Sequence, residues 1–426
     1  MDGQALLAVI IFLVVYGIII TEKIHRTIIS MAGAALIVAL GVVSQETALH
    51  HIDFNTLGLL IGMMIIVTIT AQTGLFKYVA IWAAKRAKGD PIRILIALGL
   101  LTAVASAFLD NVTTVLLIVP VTFSITRQLK VNPVPYLLTE VFASNIGGTA
   151  TLIGDPPNIM IGSENKELTF MSFIVNLAPV CLIILLVTVA ILAWVYRRQL
   201  KTEPALKAGI LDMDERAEII DSRLLRKCLV VLVLTIGGFF VHSMLGLESA
   251  TVALSGAFLL LLICGEHHLE EALTKVEWTT IFFFVGLFIL VSGLVETGII
   301  TRLAEQAMSL TGGQLTQTAM LVLWLSAIAS AFIDNIPFVA TMIPMIKDMG
   351  EIGISNLEPL WWSLSLGACL GGNGTLIGAS ANVIVAGMAA KEKHPISFVK
   401  FLAAGFPLMI LSIVISTVYI YWRYLS

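Results

Sequence analysis

The chain has 426 residues, of which 58% are hydrophobic and only 12% are charged. Ordinary soluble domains are about 45–50% apolar and about 25% charged, so this chain could not cover a soluble fold of its size, and its mean hydropathy of +0.98 excludes that class. The formal net charge of −3 is set by the ends of membrane segments and points to no partner; no nucleic acid is expected.

In chain order, apolar runs of bilayer-crossing length, roughly 18 residues, are predicted at 5–22, 27–44, 54–76, 133–163 and 170–196. The first, centred on Leu6 to Ile20, lacks a basic region before it and a small-residue cleavage site after it, so a retained span is expected rather than a signal peptide. The segment 91–129 is apolar but interrupted by Leu109-Asp110-Asn111. The same order returns at 228–244, 249–265, 278–300, 357–390 and 399–422, with its interrupted segment at 314–347.

The two series are copies. Ala105-Ser106-Ala107-Phe108-Leu109-Asp110-Asn111 recurs as Ala329-Ser330-Ala331-Phe332-Ile333-Asp334-Asn335, 224 residues later. The same offset takes Gly62 to Gly286, Thr73-Gly74 to Thr297-Gly298, Pro120 to Pro344, Gly147-Gly148 to Gly371-Gly372, Thr151-Leu152-Ile153-Gly154 to Thr375-Leu376-Ile377-Gly378 and Asn158 to Asn382. Each half has five spans plus one broken segment. Whether that segment turns back or crosses twice, the count stays odd, which forces the second half upside down relative to the first, as in secondary transporters built from inverted repeats.

The predicted fold is therefore an all-α polytopic membrane protein of two inverted repeats with five transmembrane helices each, and each repeat carries a re-entrant helical hairpin and a discontinuous helix. Residues 1–199 form the first repeat, with its hairpin at 91–129 and its discontinuous helix at 133–163. Residues 200–225 are a linker, and 226–426 form the second repeat, with hairpin 314–347 and discontinuous helix 357–390. The stretch from Arg197 to Lys227 is rich in Lys and Arg and is expected in the cytoplasm, as are Lys77, Lys85, Arg86, Lys88, Arg127 and Lys130. Alternation from there places both termini in the periplasm of a bacterial inner membrane.

An ionisable residue at membrane depth is costly and points to function. Four carboxylates qualify: Asp110 and Asp334 at equivalent breaks, Asp155 after Gly154, and Glu140 inside an apolar run. No Lys or Arg is expected at comparable depth. Asp110-Asn111-Val112-Thr113-Thr114 and Asp334-Asn335-Ile336-Pro337 put short polar side chains at hairpin tips, where they suit turns and helix caps. A capped turn alone would explain them, but two equivalent carboxylates in hydrocarbon suggest paired cation or proton sites.

The second constellation runs from Ser144-Asn145 through Gly148, Thr149, Thr151, Asp155 and Pro156-Pro157 to Asn158. Its counterpart holds Asn373, Gly374, Thr375, Ser380 and Asn382. The glycines and prolines should unwind a helix inside the bilayer, which is tolerated only where the backbone is buried or lines a cavity. Broken helices present carbonyl ends to cations and N–H ends to anions. Small-residue packing would account for the glycines alone, but not for Asn and Thr in both halves. Asp110, Glu140 and Asp334 are the candidate proton carriers; Glu140 and Asp155 correspond to Leu364 and Ala379, so the two halves are chemically unequal.

Cys181, Cys228, Cys264 and Cys369 have no metal-ligand spacing and read as small buried apolar residues. Glu266-His267-His268 has the composition of a metal site but falls in a membrane-edge loop, so no metal and no cofactor beyond a coupling ion, H⁺ or Na⁺, are expected.

With these motifs in hand, nearly the whole chain resembles the ArsB/NhaD branch of the ion transporter superfamily, and within it the bacterial P-protein-like permeases. The likeness is carried by Phe108 to Thr114, by Asn145-Ile146-Gly147-Gly148 with Gly154 to Asn158, and by Gly367 to Asn382. It implies an arsenite-permease or citrate-transporter-like fold in which a hairpin tip and the unwound helix of one half share a cation site. Carried over, Asp110, Asn111, Thr113, Asn145 and Gly148 form one such clamshell, and Asp334, Asn335, Asn373 and Thr375 the other, with substrate between them. Dicarboxylate members carry Ser-Asn-Thr at the tips where this chain has Asp-Asn.

A pocket of carboxylates without a fixed cation repels anions, and desolvation favours their protonated forms. Proton-coupled efflux of arsenite or antimonite is the expected function, with Na⁺/H⁺ antiport as the alternative and sodium- or proton-coupled transport of an inorganic or organic anion as a further one. A small inorganic solute, the coupling ion and lipid are the expected partners; a homodimer and a separate ATPase subunit stay compatible with the sequence. No G-x-x-x-x-G-K-[ST] nucleotide site occurs and no nucleophile–base pair stands out, so a transporter is expected rather than an enzyme. Asp110→Asn or Asp334→Asn should abolish coupled transport in proteoliposomes while the protein still inserts and folds; full activity in both would remove the carboxylates from the mechanism.

Overall fold

The computed structural model describes residues 3–21, 23–265 and 268–426. Among them, nine helices have at least 18 residues and are apolar enough to cross a membrane. Backbone polar groups in lipid must be satisfied within the chain, and these long helices do so along their length. The first repeat contains α1 (Gly3–Thr21), α2 (Arg26–Ala39), α3 (Gln45–His50), α4 (Phe54–Gln72), α5 (Leu75–Arg86), α6 (Pro91–Phe108), α7 (Asn111–Leu129), α8 (Val134–Thr149), α9 (Pro156–Glu164) and α10 (Phe170–Tyr196). Helix α11 (Pro204–Leu211) lies in the linker. The second repeat follows as α12 (Ser222–Val241), α13 (Ser249–Cys264), α14 (Leu269–Thr274), α15 (Trp278–Glu296), α16 (Ile299–Leu310), α17 (Leu315–Phe332), α18 (Asn335–Ile352), α19 (Glu358–Gly371), α20 (Ser380–Lys391) and α21 (Phe398–Ile420).

The repeat extends to elements that the apolar pattern does not reveal. The short helices α3 and α14, and the amphipathic helices α5 and α16, also start 224 residues apart. The expected runs 54–76 and 278–300 each end early, at Gln72 and Glu296, because Gly74 and Gly298 adopt φ of 83° and 69° and start a new helix. That positive φ costs glycine little and other residues much.

The repeats interlock. Helix α4 packs on α13 of the other repeat, and α2 packs on α15. Helix association in lipid relies on close van der Waals contact, which favours small residues: a Cβ on Gly62 would come within 2.6 Å of the Ala253 backbone, and one on Gly286 within 2.7 Å of the Ser30 backbone. The hairpins enter from opposite ends. At the base of α6–α7, Lys207 of the linker pairs with Asp90 at 3.0 Å and Thr202 Oγ1 donates to Leu129 O at 2.6 Å. The base of α17–α18 lies at the other end, where Lys347 pairs with Glu164. The linker is docked rather than loose, with Lys85 Nζ on Glu215 Oε2 at 2.5 Å and Ile220 N on Thr73 O at 3.0 Å.

Helix α2 has only 14 residues, about 21 Å at 1.5 Å per residue, against a hydrocarbon core of about 30 Å. The run expected at 27–44 is thus shorter than a full span, so an end of α2 lies below the membrane surface. The closest helix crossings sit inside each hairpin–discontinuous-helix unit: a Cβ on Gly147 would lie 2.1 Å from Ala103 O, and one on Gly371 2.5 Å from Ala327 O. Gly147→Ala and Gly371→Ala should each destabilise the protein by about 1–3 kcal/mol through overpacking, read as a lower Tm in detergent. Gly17→Ala, where nothing lies within 4 Å, should leave Tm unchanged.

Candidate substrate site between the hairpin tips

At the first tip, Asp110 caps α7: Oδ1 accepts from Thr113 N at 2.8 Å, and Oδ2 accepts from Thr113 Oγ1. At the second, Asp334 caps α18, with Oδ1 accepting from Ile336 N at 3.1 Å. The tips then diverge. Asp334 Oδ2 accepts from Arg26 Nη1 at 2.6 Å and from Ser380 Oγ at 3.1 Å, and Arg26 Nη1 also donates to Ser380 Oγ at 2.8 Å. The Arg26 guanidinium lies 4.8 Å from the centroid of the Phe283 ring.

Arg26 corrects the expectation that no basic side chain shares the carboxylates' depth. It stands at the N-terminus of α2, next to the run predicted at 27–44, and the helix that forms there has only 14 residues, which draws this end inward.

The unwound segments between α8 and α9 and between α19 and α20 are braced alike. Asn158 Nδ2 donates to Thr149 O and Thr151 O at 3.0 and 2.9 Å; Asn382 Nδ2 donates to Gly372 O and Thr375 O at 2.8 and 2.9 Å. Thr151 Oγ1 donates to Ala107 O, and Thr375 Oγ1 to Ala331 O. Asn158 Oδ1 in turn accepts from Ser365 Oγ at 2.6 Å. These Asn and Thr side chains hold up backbone that water cannot reach, as uncompensated polar groups there would be costly.

The amides of the two halves meet in one network. Asn111 Nδ2 donates to Asn145 Oδ1 at 3.0 Å, while Asn145 Nδ2 donates to Asn373 Oδ1 at 2.8 Å and to Asn382 Oδ1 at 3.1 Å. Thr149 Oγ1 donates to Asn145 O at 2.6 Å. The residues expected in two clamshells are thus tied to each other through Asn145. Gly148 lets its strand of the break pass Gly154 O, which a Cβ would approach to 2.5 Å, and Gly374 lies against Ala331.

Asp155 is the exception to this mutual satisfaction. Its Oδ1 accepts from Asn335 Nδ2 of the opposite tip at 3.5 Å, and its buried Oδ2 has no hydrogen-bond partner. It lines a cavity of about 50 Å³ with Arg26, Asp110, Asn111, Glu277 and Asn335. A second cavity of about 280 Å³ shares Arg26 and Ser380 with it and opens beside His25 at the α1–α2 turn, the linker end of the molecule.

Glu277 was not anticipated either. It precedes α15, accepts from Thr280 Oγ1 at 3.0 Å, and burial pushes its carboxyl above the usual range, with Asp110 adding to the shift. The repeat register pointed to it, since it stands 224 residues after Asp53, which caps α4. Glu140 is away from this cavity, between α7 and α8, and Thr114 Oγ1 is buried without a partner.

The cysteines are unpaired, and no group of three His, Cys, Asp or Glu side chains suited to a metal occurs among the described residues; Glu266 and His267 lie outside them.

The family model described as "Citrate transporter" matches residues 16–367. An uncharacterized transporter of Mycobacterium tuberculosis is 44% identical over 427 residues, covering 99% of each chain. A 46 kDa membrane protein of Mycobacterium leprae is 42% identical over 428 residues, again covering 99% of each. The P protein of Homo sapiens is 36% identical over 502 residues that take in 98% of this chain and 60% of that protein, so the chain spans about three fifths of the P protein. Among solved structures, the crystal structure of the Alcanivorax borkumensis YdaH transporter aligns with a TM-score of 0.60 over 98% of both chains at 14% identity, a likeness of fold.

The Arg26–Asp334 pair changes what mutation of Asp334 should do, because Asp334→Asn strips a half-buried cation of its counter-charge. Arg26→Gln and Asp334→Asn should each lower Tm, and the double mutant should recover part of the loss. A coupling of roughly 0.5–3 kcal/mol is expected; strict additivity would show the pair to be incidental.

Proposed function

This chain belongs to the citrate transporter family, and on that premise we propose that it is a proton-coupled secondary transporter exporting a small uncharged inorganic hydroxide, arsenite or antimonite, from a bacterial cytoplasm. The observation that carries this reading is Asp155: a carboxylate oxygen with no partner, buried on the wall of the cavity between the two tips. A carboxylate with one oxygen unpartnered at that depth is costly, so the group holds a proton or a bound cation, and exchange of one for the other is what a coupled cycle needs.

Charge selects the solute. The cavity gathers Asp110, Asp155 and Glu277, and its one arginine is already committed to Asp334. An incoming citrate would meet three carboxylates and no free cation, so the compound in the family's name fits this site poorly. Space argues the same way: about 50 Å³ holds only a few groups the size of water, each needing roughly 10–15 Å³. Three hydroxyls on one arsenic atom are of that order. The larger cavity opens at the linker end, which its Lys and Arg content assigns to the cytoplasm, the side from which an exporter loads. The likeness to the ArsB/NhaD branch supplies the substrate, and the basic linker the orientation with both termini in the periplasm.

Na⁺/H⁺ antiport is the second reading, favoured by the oxygen-rich wall that Asp155, Asp110 and Asn111 present. Proteoliposomes with an imposed pH gradient separate the two. Arsenite flux that follows the gradient, with ²²Na⁺ and citrate inert, is the expected result; ²²Na⁺ flux would transfer the assignment to the antiporter. Asp155→Asn, nearly isosteric but unable to cycle a proton, should reduce gradient-driven flux to background. Wild-type flux in that variant would exclude Asp155 as the coupling group.

A further inference from the structure

Between α7 and α8 runs a polar stripe that no part of the substrate cavity uses. Helix α7 contributes Thr114, Thr122 and Thr126, spaced by whole helical turns, and α8 contributes Glu140 and Ser144, one turn apart. All five are buried, Glu140 at 1% exposure. Glu140 Oε1 accepts from Thr122 Oγ1 at 2.5 Å, whereas Glu140 Oε2 and Thr114 Oγ1 have no partners. Ser144 Oγ reaches Asn111 O at 3.4 Å, so the stripe ends at the first hairpin tip, where Asn111 lines the cavity that Asp155 also lines. Its other end, near Thr126, approaches the base of α7 and the linker, where Thr202 bonds Leu129.

The second repeat shows that the fold does not need this stripe. The counterparts of Thr114, Thr122, Thr126, Glu140 and Ser144 are Phe338, Ile346, Gly350, Leu364 and Ala368, on α18 and α19, and none is polar. The two hairpin–discontinuous-helix units share the bracing of their breaks, down to Ser106 Oγ and Ser330 Oγ donating to Ser144 O and Ala368 O. Leu364, at the place of Glu140, is fully buried in its own unit. A lone carboxyl group with one free oxygen, kept in one of two matching helix pairs at the cost of burying it, therefore has a task other than packing.

We propose that Glu140 is a reversible protonation site, set apart from the substrate cavity and reached from the linker end along the Thr126–Thr122 face. This rests on the reading of the protein as a proton-coupled carrier and assigns the proton its route. Asp155 gives up its proton along Ser144 to the Glu140 carboxylate, which becomes the neutral acid. Glu140 then passes the proton along the Thr122–Thr126 face to water at the linker end and returns to the carboxylate; only O–H bonds form and break. The titratable groups on elements packed against α8 are Asp90 and Arg93 at the start of α6, Asp110 and Arg127 at the two ends of α7, Cys181 and Tyr196 on α10, Glu358 and Cys369 on α19 and Lys391 on α20, and none of them bonds Glu140. Tyr136, one turn away on α8, donates its hydroxyl to Pro91 O at 2.9 Å. Thr122 is therefore the one side chain that hydrogen-bonds the Glu140 carboxyl group among the described residues.

Glu140→Leu copies what the second repeat already carries and is expected to fold. It should keep arsenite exchange between equal pools at the wild-type rate, since exchange needs no net proton movement, and lose pH-gradient-driven accumulation. Glu140→Asp should restore accumulation. Wild-type accumulation in Glu140→Leu, or loss of exchange in the folded variant, would overturn the assignment. A readout independent of transport uses difference infrared spectra of the full-length protein. A carboxylic-acid C=O band should titrate with pH in the wild type and be missing from Glu140→Gln, which also serves if the leucine variant unfolds. An identical titrating band in both would equally refute the proposal. If the wild type moved no arsenite on a pH gradient, the proposed function would fail while the infrared comparison still decided the fate of Glu140.

Discussion

Unwound backbone in the middle of a bilayer has no water to bond, and this single constraint organises the interior of the protein. Each discontinuous helix leaves carbonyls without intrahelical partners, and the chain answers twice with the same chemistry. An asparagine reaches back across the gap, Asn158 in one repeat and Asn382 in the other, and a threonine ties the break to the neighbouring hairpin, Thr151 and Thr375. Neither repair works without a hairpin backbone held against the break, and that proximity depends on Gly147 and Gly371 carrying no side chain.

This sorts the polar residues into two kinds. Those that recur at the offset of 224 serve the break or the tip, because every copy of the fold faces the same unsatisfied backbone. Those that do not recur answer to something else: Asp155 against Ala379, Glu140 against Leu364, Arg26 against Ala250. Asp110 and Asp334 belong to the first kind by position, each an N-cap, but only Asp334 meets a cation. Helix capping is a full explanation of Asp110 as a local structure and leaves its second role, a wall of the cavity, to the proposed mechanism.

Much of this was legible in the residues. The repeat register, the broken segments, the all-helical class and the polar tips follow from apolar run length and from Asn, Asp, Gly and Pro placed where a helix should continue. What stayed hidden depends on depth and direction, which run length does not encode. Arg26 precedes a run predicted at 27–44, long enough to cross a bilayer, while the helix that forms there stops at Ala39. Helices α5 and α16 lie almost wholly beyond the runs predicted at 54–76 and 278–300, whose ends overran the glycine turns because such a turn leaves hydropathy almost unchanged. The amide hub at Asn145 joins both halves in space and so has no signature along the chain.

The Arg26–Asp334 contact gives the two kinds of residue a common logic. Arg26 rides on α2, which is packed on α15, while Asp334 rides on a hairpin packed on a discontinuous helix. The pair thus spans the boundary between the interlocked helices and the units that hold the breaks. A charge pair half-removed from water is strong enough to hold one arrangement and weak enough to be exchanged when a neighbouring charge changes. Asp155 shares the cavity with Arg26 and touches the same tip through Asn335, so a proton arriving on Asp155 alters the field at that boundary. Under the proposed mechanism the coupling ion and the structural pair act on one hairpin tip, and the asymmetry between repeats is what allows a single proton to bias a nearly two-fold machine.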